Sequence, residues 1–419
     1  MKPGKPGAEA ASARKQIRTY NRDREPQRLE RKLSLMRDNL FSFYRGSCHL
    51  FTERLAATRP GLDEPLAWSS GDLHIENFGS YRGDNGLVYF DINDFDEAAL
   101  APVSWEIIRL GSSILIAAST LQLAPKQAHA LVIETVRHYL AALRDDQARW
   151  LERETAKGAI RDLLRDLKDR SSEAKLSRRT QIKRGQRELI IDNIRALEIA
   201  PRERKRVEAL MAKFAATQKD ATVFKVRDVA RRVAGTGSLG LSRWIILAEG
   251  GHTPETNLLL DLKMIAPSCV AAWSHGTQPQ WTSDAHRVVG TRRRCQAAAP
   301  AFLNAIVESM GQTTGEAFVL RELQPTEDRL DLAKVARSMQ SAGAVFADMA
   351  RLAAWAQLRA SGRDGAAVAD GLIAFATHKT AEHALVAAAI AMARQSRDDW
   401  RDYCEAWDQG YFKKLLPAD

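Results

Sequence analysis

The segment from residue 71 to 97 places an aspartate, an amide and an acidic cluster within one short stretch of the chain. It reads GDLHIENFGSYRGDNGLVYFDINDFDE. Four residues separate Asp72 from Asn77, and Asp94 follows Leu87–Ile92, whose alternating apolar residues predict a β-strand. Acidic groups this dense repel one another unless a cation or a basic side chain lies among them. The segment therefore predicts a strand that ends in an acidic loop with a positive partner.

Phosphoryl transfer requires groups of these kinds. A carboxylate orients the attacking hydroxyl, and an amide with a carboxylate holds Mg2+ against a triphosphate. We therefore predict Asp72 as the catalytic residue and Asn77 and Asp94 as metal ligands, with Asp96 as a further ligand or a helix cap. The alternative is a solvated acidic turn, because turns are rich in aspartate and asparagine and the spacing also arises by chance.

A glycine-rich motif lies far downstream. Residues 235–240, GTGSLG, match G-x-G-x-x-G. In a dinucleotide-binding fold this pattern joins a strand to a helix, whereas in a kinase it joins two antiparallel strands over the nucleotide phosphates. The flanking segments Phe224–Val233 and Leu241–Leu247 are both compatible with strands. We therefore predict a phosphate-binding β-hairpin. Its binding residues are Gly235, Gly237, Ser238 and Gly240.

Lys263 lies inside Leu258–Ile265, an apolar run typical of a buried strand. A buried lysine needs an anionic partner, and nucleotide phosphates would supply one. The alternative places Lys263 on the solvent face of an edge strand. Asp261 lies near the distance expected of a ribose-binding acid in a dinucleotide fold, but the strands on both sides of the glycine motif argue against that fold.

The segments GDLHIENFG, NDFDE, SWEIIRLG and GTGSLG with DLK resemble those of the bacterial DUF2252 family over most of the chain. They also resemble motifs of the aminoglycoside phosphotransferase branch of the protein-kinase-like superfamily. The resemblance implies a kinase-like fold with no established substrate. Carried over by position, it implies Asp72 as the catalytic base, Asn77 and Asp94 as metal ligands and Lys263 as the partner of the α- and β-phosphates.

The chain departs from the phosphotransferase pattern in two ways. Ser70 stands where these enzymes commonly have histidine, and His74 comes after the aspartate instead. The glutamate that should anchor Lys263 has no clear motif. We expect Glu308 in this role, with Glu322 as the second choice.

The motifs also occur in an unusual order, because the glycine-rich loop and the lysine follow the catalytic loop. Either the fold is circularly permuted, or the matches are coincidental in an unrelated fold. Permutation is physically acceptable because a site depends only on spatial arrangement. We therefore expect an α+β protein with a permuted, kinase-like two-lobe fold, comprising a large helical lobe and a smaller antiparallel β lobe. The nucleotide would bind between the lobes.

Composition shifts and periodicity predict four parts of the chain. Residues 1–25 are expected to be a disordered basic tail, and 26–218 a helical lobe that contains the catalytic loop and the metal-binding segment. Residues 219–326 would form the β-rich lobe with the glycine-rich loop, and 327–419 the helices that complete the helical lobe. Within the β-rich lobe, we expect a helix over 292–310.

Composition limits the class of protein. With 419 residues, 45% of them hydrophobic, the chain can form two lobes. It contains neither a secretory segment nor an apolar run of membrane-spanning length, so we expect a cytoplasmic protein without membrane contact. Its four scattered cysteines favour reduced thiols over a zinc site.

The net charge of +10 is concentrated in part between residues 151 and 210. This basic region is either a solvated helical surface or a patch that attracts an anionic partner such as nucleic acid. Three functions follow, in order of support. The first is an ATP- and Mg2+-dependent phosphotransferase that acts on a hydroxyl or amino group of a small molecule. The second is a nucleotide-binding pseudokinase or nucleotidyl transferase of the same fold. The third is a nucleic-acid-binding protein.

Overall fold

The computed structural model describes residues 12–58, 64–168, 172–251, 253–310, 313–324 and 329–416. The chain combines helices with small antiparallel sheets, which confirms the expected α+β class. The helices are α1 (Ala13–Asn21), α2 (Pro26–Asp38), α3 (Leu40–Gly46), α4 (Cys48–Thr58), α5 (Ser104–Ala117), α6 (Pro125–Arg144), α7 (Gly158–Lys168), α8 (Ser172–Leu176), α9 (Pro201–Ala215), α10 (Asp284–Cys295), α11 (Leu332–Ala336), α12 (Met339–Arg359), α13 (Ala369–Thr377) and α14 (Ala381–Asp408).

The strands form two pairs, one three-stranded sheet and one six-stranded sheet in the described ranges. They are β1 (Leu66–Ser69), β2 (Phe78–Arg82), β3 (Val88–Ile92), β4 (Ala99–Pro102), β5 (Leu151–Glu152), β6 (Thr180–Lys183), β7 (Gln186–Leu189), β8 (Ala196–Leu197), β9 (Val226–Arg232), β10 (Arg243–Ala248), β11 (Leu258–Met264), β12 (Asn304–Met310) and β13 (Thr313–Glu322). β1 pairs with β4, β6 pairs with β7, and β3 lies between β2 and β5.

The six-stranded sheet has the order β12-β13-β11-β10-β9-β8, and all neighbours are antiparallel. Residues 233–242 connect β9 to β10, so the glycine-rich segment is a hairpin loop, as predicted. β11 lies between β10 and β13. Lys263, opposite Arg243 on β10, is therefore on an interior strand and not on an edge.

An apolar core joins this sheet to α9. Val207 and Leu210 lie on one face of α9 and share a core with Trp244 and Phe318 of the sheet. Each such side chain stabilises the fold by about 1.5–3 kcal/mol when buried. α9 falls within residues 26–218, the expected helical lobe, but it buries its apolar face against the sheet.

Most other helices pack around α5. This helix is buried along its whole length and contacts α3, α6 and α14, while α12 packs along α6. The hydroxyl of Ser112 donates to the backbone oxygen of Ile108 at 2.7 Å, so a polar side chain is satisfied inside the helix. The helices before and after the six-stranded sheet in sequence thus share one hydrophobic core.

The expected disordered tail is wrong for the residues that the structure describes. Ala13–Asn21 forms α1, and its Ala13 and Ile17 are buried in a cluster with Tyr403 and Ala406 of α14. The apolar positions four residues apart form a stripe that α14 covers. The remainder of the tail prediction, residues 1–11, lies outside the described residues.

The helix expected over 292–310 is also wrong. α10 begins earlier, where the hydroxyl of Ser283 accepts a hydrogen bond from the backbone N–H of His286, and it ends at Cys295. Residues Asn304–Met310 form β12 instead. Pro300 lies between the two elements and cannot continue a helix, because proline lacks the backbone N–H.

Two expectations from composition concern the cysteines and the helices. Cys48, Cys269, Cys295 and Cys404 are free thiols. Along the described part of the chain, no helix is both long enough and apolar enough to span a bilayer.

Candidate active site

Gly71 allows two loops of the site to approach each other. It follows β1, and its φ of +89° lies in the left-handed region that favours glycine. A Cβ atom at this position would lie 2.1 Å from the backbone oxygen of Glu97. The contact holds the loop after β1, which carries Asp72, against the loop after β3, which carries Asp94.

We expect Gly71→Ala to lower the free energy of unfolding by about 2 kcal/mol more than Gly86→Ala does. Gly86 is a matched control, because its φ is +80° and no atom lies within 4 Å of a Cβ placed there. Both variants carry backbone strain, and only Gly71→Ala adds an overlap with Glu97. Urea unfolding measures the difference. Equal losses in the two variants would contradict a need for close approach at Gly71.

Asp72 is held by a buried arginine of α5. Arg109 Nε donates to Asp72 Oδ1 at 2.6 Å, and Arg109 Nη2 pairs with the same oxygen. Arg109 also donates to the backbone oxygen of Tyr44 at 3.0 Å, and its guanidinium lies 4.3 and 4.6 Å from the ring centroids of Tyr44 and Phe51. Burial raises the pKa of Asp72 to about 6, although Arg109 acts to lower it. The carboxyl group is therefore oriented, and it changes protonation close to neutral pH.

Asn77 ties the same loop together. Its Nδ2 donates to the backbone oxygen of Asp72 at 2.6 Å, and its backbone N–H donates to the backbone oxygen of His74 at 2.8 Å. Its backbone oxygen accepts from the N–H of Asn93 at 2.8 Å, which links this loop to the acidic loop. Burial lowers the pKa of His74, so the imidazole is neutral, and its Nδ1 accepts from the N–H of Glu76. His74 therefore shapes the loop as a neutral group.

Lys263 reaches from β11 to the acidic loop. Its Nζ pairs with Asp96 Oδ2 and lies 3.7 Å from Asp94 Oδ2. The lysine side chain is buried, so the alternative of a solvent-facing lysine is wrong. Asp94 Oδ1 accepts a hydrogen bond from the N–H of Asp96 at 3.2 Å. The positive partner expected for the acidic loop is thus a lysine from a strand far away in sequence.

The two aspartates beside Lys263 have opposite pKa shifts. Burial acts to raise the pKa of Asp94, but Lys263 and Arg321 outweigh it and hold this pKa well below its ordinary value. Burial and the charge of Asp94 raise the pKa of Asp96. Asp94 is therefore ionised at neutral pH, as a carboxylate metal ligand must be.

Basic side chains from the N-terminal part of the chain hold the glycine-rich loop by its carbonyl groups. Arg24 Nη1 donates to the backbone oxygens of Gly237 and Leu239 at 2.8 and 2.6 Å. Lys32 Nζ, buried in α2, donates to the backbone oxygen of Gly237 at 3.3 Å. The carbonyl side of the loop is thus engaged by the protein itself.

The backbone N–H groups of the glycine-rich loop, unlike its carbonyl groups, are not engaged by the described residues. Gly235 and Gly240 adopt φ values of +78° and +89°, which turn the chain at both ends of the loop. Among the residues that the structure describes, none accepts a hydrogen bond from the backbone N–H groups of residues 236–240. A series of N–H groups in such a turn forms an anion-binding concavity.

These groups face one cavity that opens to solvent. The predicted site residues that line it are Asp72, Asn77, Asp94, Asp96, Gly235, Gly237, Ser238 and Lys263. Gly240 does not line the cavity. It packs against Arg24, because a Cβ atom on Gly240 would lie 2.8 Å from that side chain. The structure therefore brings together residues from two distant parts of the chain.

Several residues of the site carry no motif. Arg109 is a lone arginine in the apolar α5, and that isolation is the one signal in the sequence that it has a buried anionic partner. Arg24 and Tyr20 line the cavity from the segment expected to be disordered, and no pattern marks them. Glu97 accepts from the Cys269 N–H at 2.6 Å and from the Tyr20 hydroxyl at 3.4 Å, which fixes the end of the acidic loop.

Neither glutamate expected to anchor Lys263 does so. Glu308 on β12 accepts hydrogen bonds from Arg206 at 2.9 and 2.5 Å. Glu322 on β13 is one residue beyond Arg321, which lies opposite Asp261 of β11. Because side chains alternate along a strand, Glu322 is on the opposite face of the sheet from Lys263. Aspartates of the acidic loop take the role instead.

The oxygen donors of the site suit Mg2+. Asp94 and Asp96 supply carboxylates and Asn77 supplies an amide, and Mg2+ is usually bound by one or two carboxylates together with substrate phosphates. The described ranges contain no group of three or more His, Cys, Asp or Glu side chains that could hold a metal ion. An ion held by Asn77, Asp94 and Asp96 would take its remaining ligands from phosphate oxygens and water.

The basic region between residues 151 and 210 is divided among several elements. Arg187 pairs with Glu173, and Arg206 pairs with Glu308 and Glu316. These basic side chains are thus used inside the protein. Binding of nucleic acid by this region stays a prediction.

Comparison with known proteins identifies a family. A family model described as an uncharacterized protein conserved in bacteria (DUF2252) matches residues 24–406. No curated protein and no solved structure matches the chain. The matched region includes all of the cavity-lining residues that were predicted from the sequence, and it omits only the two ends of the chain. The chain therefore belongs to the DUF2252 family of bacterial proteins.

Proposed function

We propose that this protein is an ATP-dependent phosphotransferase with a circularly permuted, protein-kinase-like two-lobe fold. It transfers a phosphoryl group to a hydroxyl or amino group of a small molecule, with ATP and Mg2+ as cofactors. One observation carries the proposal: the acidic loops with Asp72 and Asp94 and the sheet elements with Gly237 and Lys263 line a single cavity. Each pattern alone predicts only its own share of the chemistry. Because both patterns line the same cavity, they support the proposal together in a way that neither does alone.

The order of elements in the six-stranded sheet supports the kinase-like part of the proposal. Kinases place the glycine-rich loop ahead of a lysine on their third strand, and a helix follows that strand. Here the loop joins β9 to β10, Lys263 lies on the next strand, and α10 comes after it. The sequence of α10 contains no glutamate. The aspartates of the acidic loop pair with the lysine where kinases use a glutamate of the helix.

In the proposed reaction, Asp72 orients the acceptor group and accepts its proton. A pKa of about 6 leaves it mostly ionised at pH 7, and Arg109 fixes its direction. Lys263 and the N–H groups of the glycine-rich loop bind the phosphates. When bound by Asn77 and Asp94, Mg2+ would neutralise part of the triphosphate charge. Positioning and charge neutralisation account for the catalysis, with no covalent intermediate on the protein.

A small acceptor is favoured over a protein. The chain after Asp94 has no segment that resembles an activation loop ending in A-P-E. Arg24 and Tyr20, which precede α2, cover one side of the cavity.

Calorimetry of ATP binding with and without Mg2+ tests the proposal. We expect Mg2+-dependent binding that Lys263→Ala and Asp94→Ala each weaken at least about tenfold, because each variant removes a charged contact to the phosphates or the ion. Lys225→Ala is the matched control, since this lysine is exposed just before β9 and does not line the cavity. Wild-type affinity in both site variants would overturn the proposal.

A second candidate function is nucleotide binding without phosphoryl transfer, or transfer of AMP. The pairing of Asp72 with Arg109 favours it, because the charge of Arg109 acts to lower the pKa of Asp72 and so opposes the rise that burial causes. Product analysis with ATP labelled at the α- or the γ-phosphate separates the cases. Acceptors labelled only from the γ-position indicate a phosphotransferase, and acceptors labelled from the α-position indicate a nucleotidyl transferase. Binding without either product indicates a pseudoenzyme.

A further inference from the structure

A second, larger cavity adjoins the carboxylate-lined one and has the opposite charge. Its walls include residues of the six-stranded sheet, and Lys263, Asp94 and Gly235 belong to the walls of both cavities. Nine arginine or lysine side chains line it against three carboxylates. We call it the arginine cavity. A neutral nucleoside does not require such an excess of positive charge.

The centre of this charge is a cluster of three arginines on one aspartate. Asp261 of β11 accepts from Arg243 Nε and Nη2 at 2.8 and 2.6 Å and from Arg321 Nε at 3.4 Å, and it pairs with Arg232 Nη1 at 2.8 Å. All three arginines line the arginine cavity, whereas Asp261 is only 1% exposed. One carboxylate therefore faces three guanidinium groups.

Backbone oxygens satisfy further N–H groups of the cluster but not its charge. Arg243 Nη1 donates to Ala234, and Arg321 Nη1 donates to Asn93, each at 3.3 Å. Burial lowers the pKa of Arg232 to about 9, even though Asp261 acts to raise it. This shift reflects the cost of holding several cations in one buried place. Such a cost is offset when an anion binds among them.

Guanidinium groups bind phosphate and carboxylate through paired N–H donors. We propose that the arginine cavity binds a multiply charged, phosphate-bearing anion of the pyrophosphate type. Arg232, Arg243 and Arg321 form its inner wall, and Arg178, in the turn after α8, contributes from the segment that covers the cavity. This site adjoins the carboxylate-lined cavity and shares part of its wall, and the proposal does not depend on phosphoryl transfer.

The test is calorimetry of inorganic pyrophosphate with the full-length protein in the absence of nucleotide and Mg2+. We expect Arg232→Gln and Arg178→Gln each to weaken binding at least about tenfold. In Arg232→Gln, Asp261 keeps its two hydrogen bonds to Arg243, and Arg178 is exposed, so both variants are expected to fold. The matched control is Arg227→Gln, because Arg227 lies on the same strand as Arg232 but pairs with Glu249 away from the cavity.

Failure of the wild type to bind pyrophosphate, or unchanged affinity in both cavity variants, would overturn the proposal. Repeating the titration at saturating Mg2+ and ATP identifies the source of the phosphate group. Displacement of pyrophosphate assigns the cavity to the phosphates of the nucleotide, and retained binding assigns it to a phosphorylated second substrate. Because the first titration contains no ATP, its outcome is separate from that of the phosphotransferase assays.

Discussion

Asp72→Asn is expected to lower kcat for phosphoryl transfer by about 10³-fold while the affinity for ATP and Mg2+ stays within about threefold. The amide cannot accept a proton from the acceptor group. Its oxygen can still accept the hydrogen bond from Arg109 Nε, so the buried guanidinium keeps a partner. This substitution is preferable to Asp72→Ala, which would leave Arg109 Nε without an acceptor. Labelled γ-phosphate transfer and calorimetry on the same preparation measure the two quantities.

The pH profile supplies a second readout for Asp72. Because its pKa is about 6, kcat/KM of the wild type should fall about tenfold per pH unit below pH 6. Asp72→Asn should lack this acid limb. Asp84→Asn is the control, since Asp84 is an exposed carboxylate in the turn between β2 and β3. Normal turnover in Asp72→Asn would contradict the assigned mechanism. An equal loss of turnover in Asp84→Asn would indicate a nonspecific effect.

Arg109→Leu is expected to lower the free energy of unfolding by about 3–5 kcal/mol, because it leaves the carboxylate of Asp72 buried without its cation. The side chain of Arg109 is only 2% exposed and that of Asp72 is 20% exposed, so water replaces little of the lost interaction. Leucine also loses the contact of the guanidinium with the rings of Tyr44 and Phe51. Urea unfolding at pH 8 measures the loss.

Two comparisons separate the charge effect from packing. The double variant Arg109→Leu with Asp72→Asn should recover part of the stability, because no buried charge remains. The loss in Arg109→Leu should also be smaller at pH 5 than at pH 8. Burial holds the pKa of Asp72 in the folded protein above its ordinary value, so between these two pKa values the folded protein binds more protons and its stability falls as pH rises. Arg109 opposes this rise in pKa. Its removal therefore costs most at pH 8, where the carboxyl group of Asp72 is charged. A loss below about 1 kcal/mol, or no pH dependence, would contradict an essential ion pair.

Much of the local structure could be predicted from periodicity. The alternating segments around Lys263 and on both sides of the glycine motif are strands, and the acidic loop follows a strand, as expected. Errors arose where long-range packing outweighs local composition. The polar, basic N-terminal segment forms α1 because α14 covers its narrow apolar stripe. The region expected to be one helix over 292–310 instead contributes β12 to the sheet, where it pairs with β13.

The candidate site divides in the same way. The chemical groups of the site could be identified from the sequence at Asp72, Asn77, Asp94 and Lys263. Carboxylate, amide and lysine chemistry belongs to single residues and short spacings. The anchor of Lys263 could not be identified in this way, and the expected Glu308 is bound to Arg206. A salt bridge joins residues whose distance depends on how whole elements pack. No local pattern encodes that distance.

The sequence by itself determined the α+β character, the hairpin around the glycine-rich loop and the residues that we propose act on a phosphate, because each depends on neighbours along the chain. Only the tertiary structure decided that the two distant motif regions share one cavity. It also decided that Arg109 holds Asp72 and that three arginines surround Asp261. Those pairings bring charges from separate elements into one buried place. Their energy comes from proximity and exclusion of water, which exist only after the chain has packed.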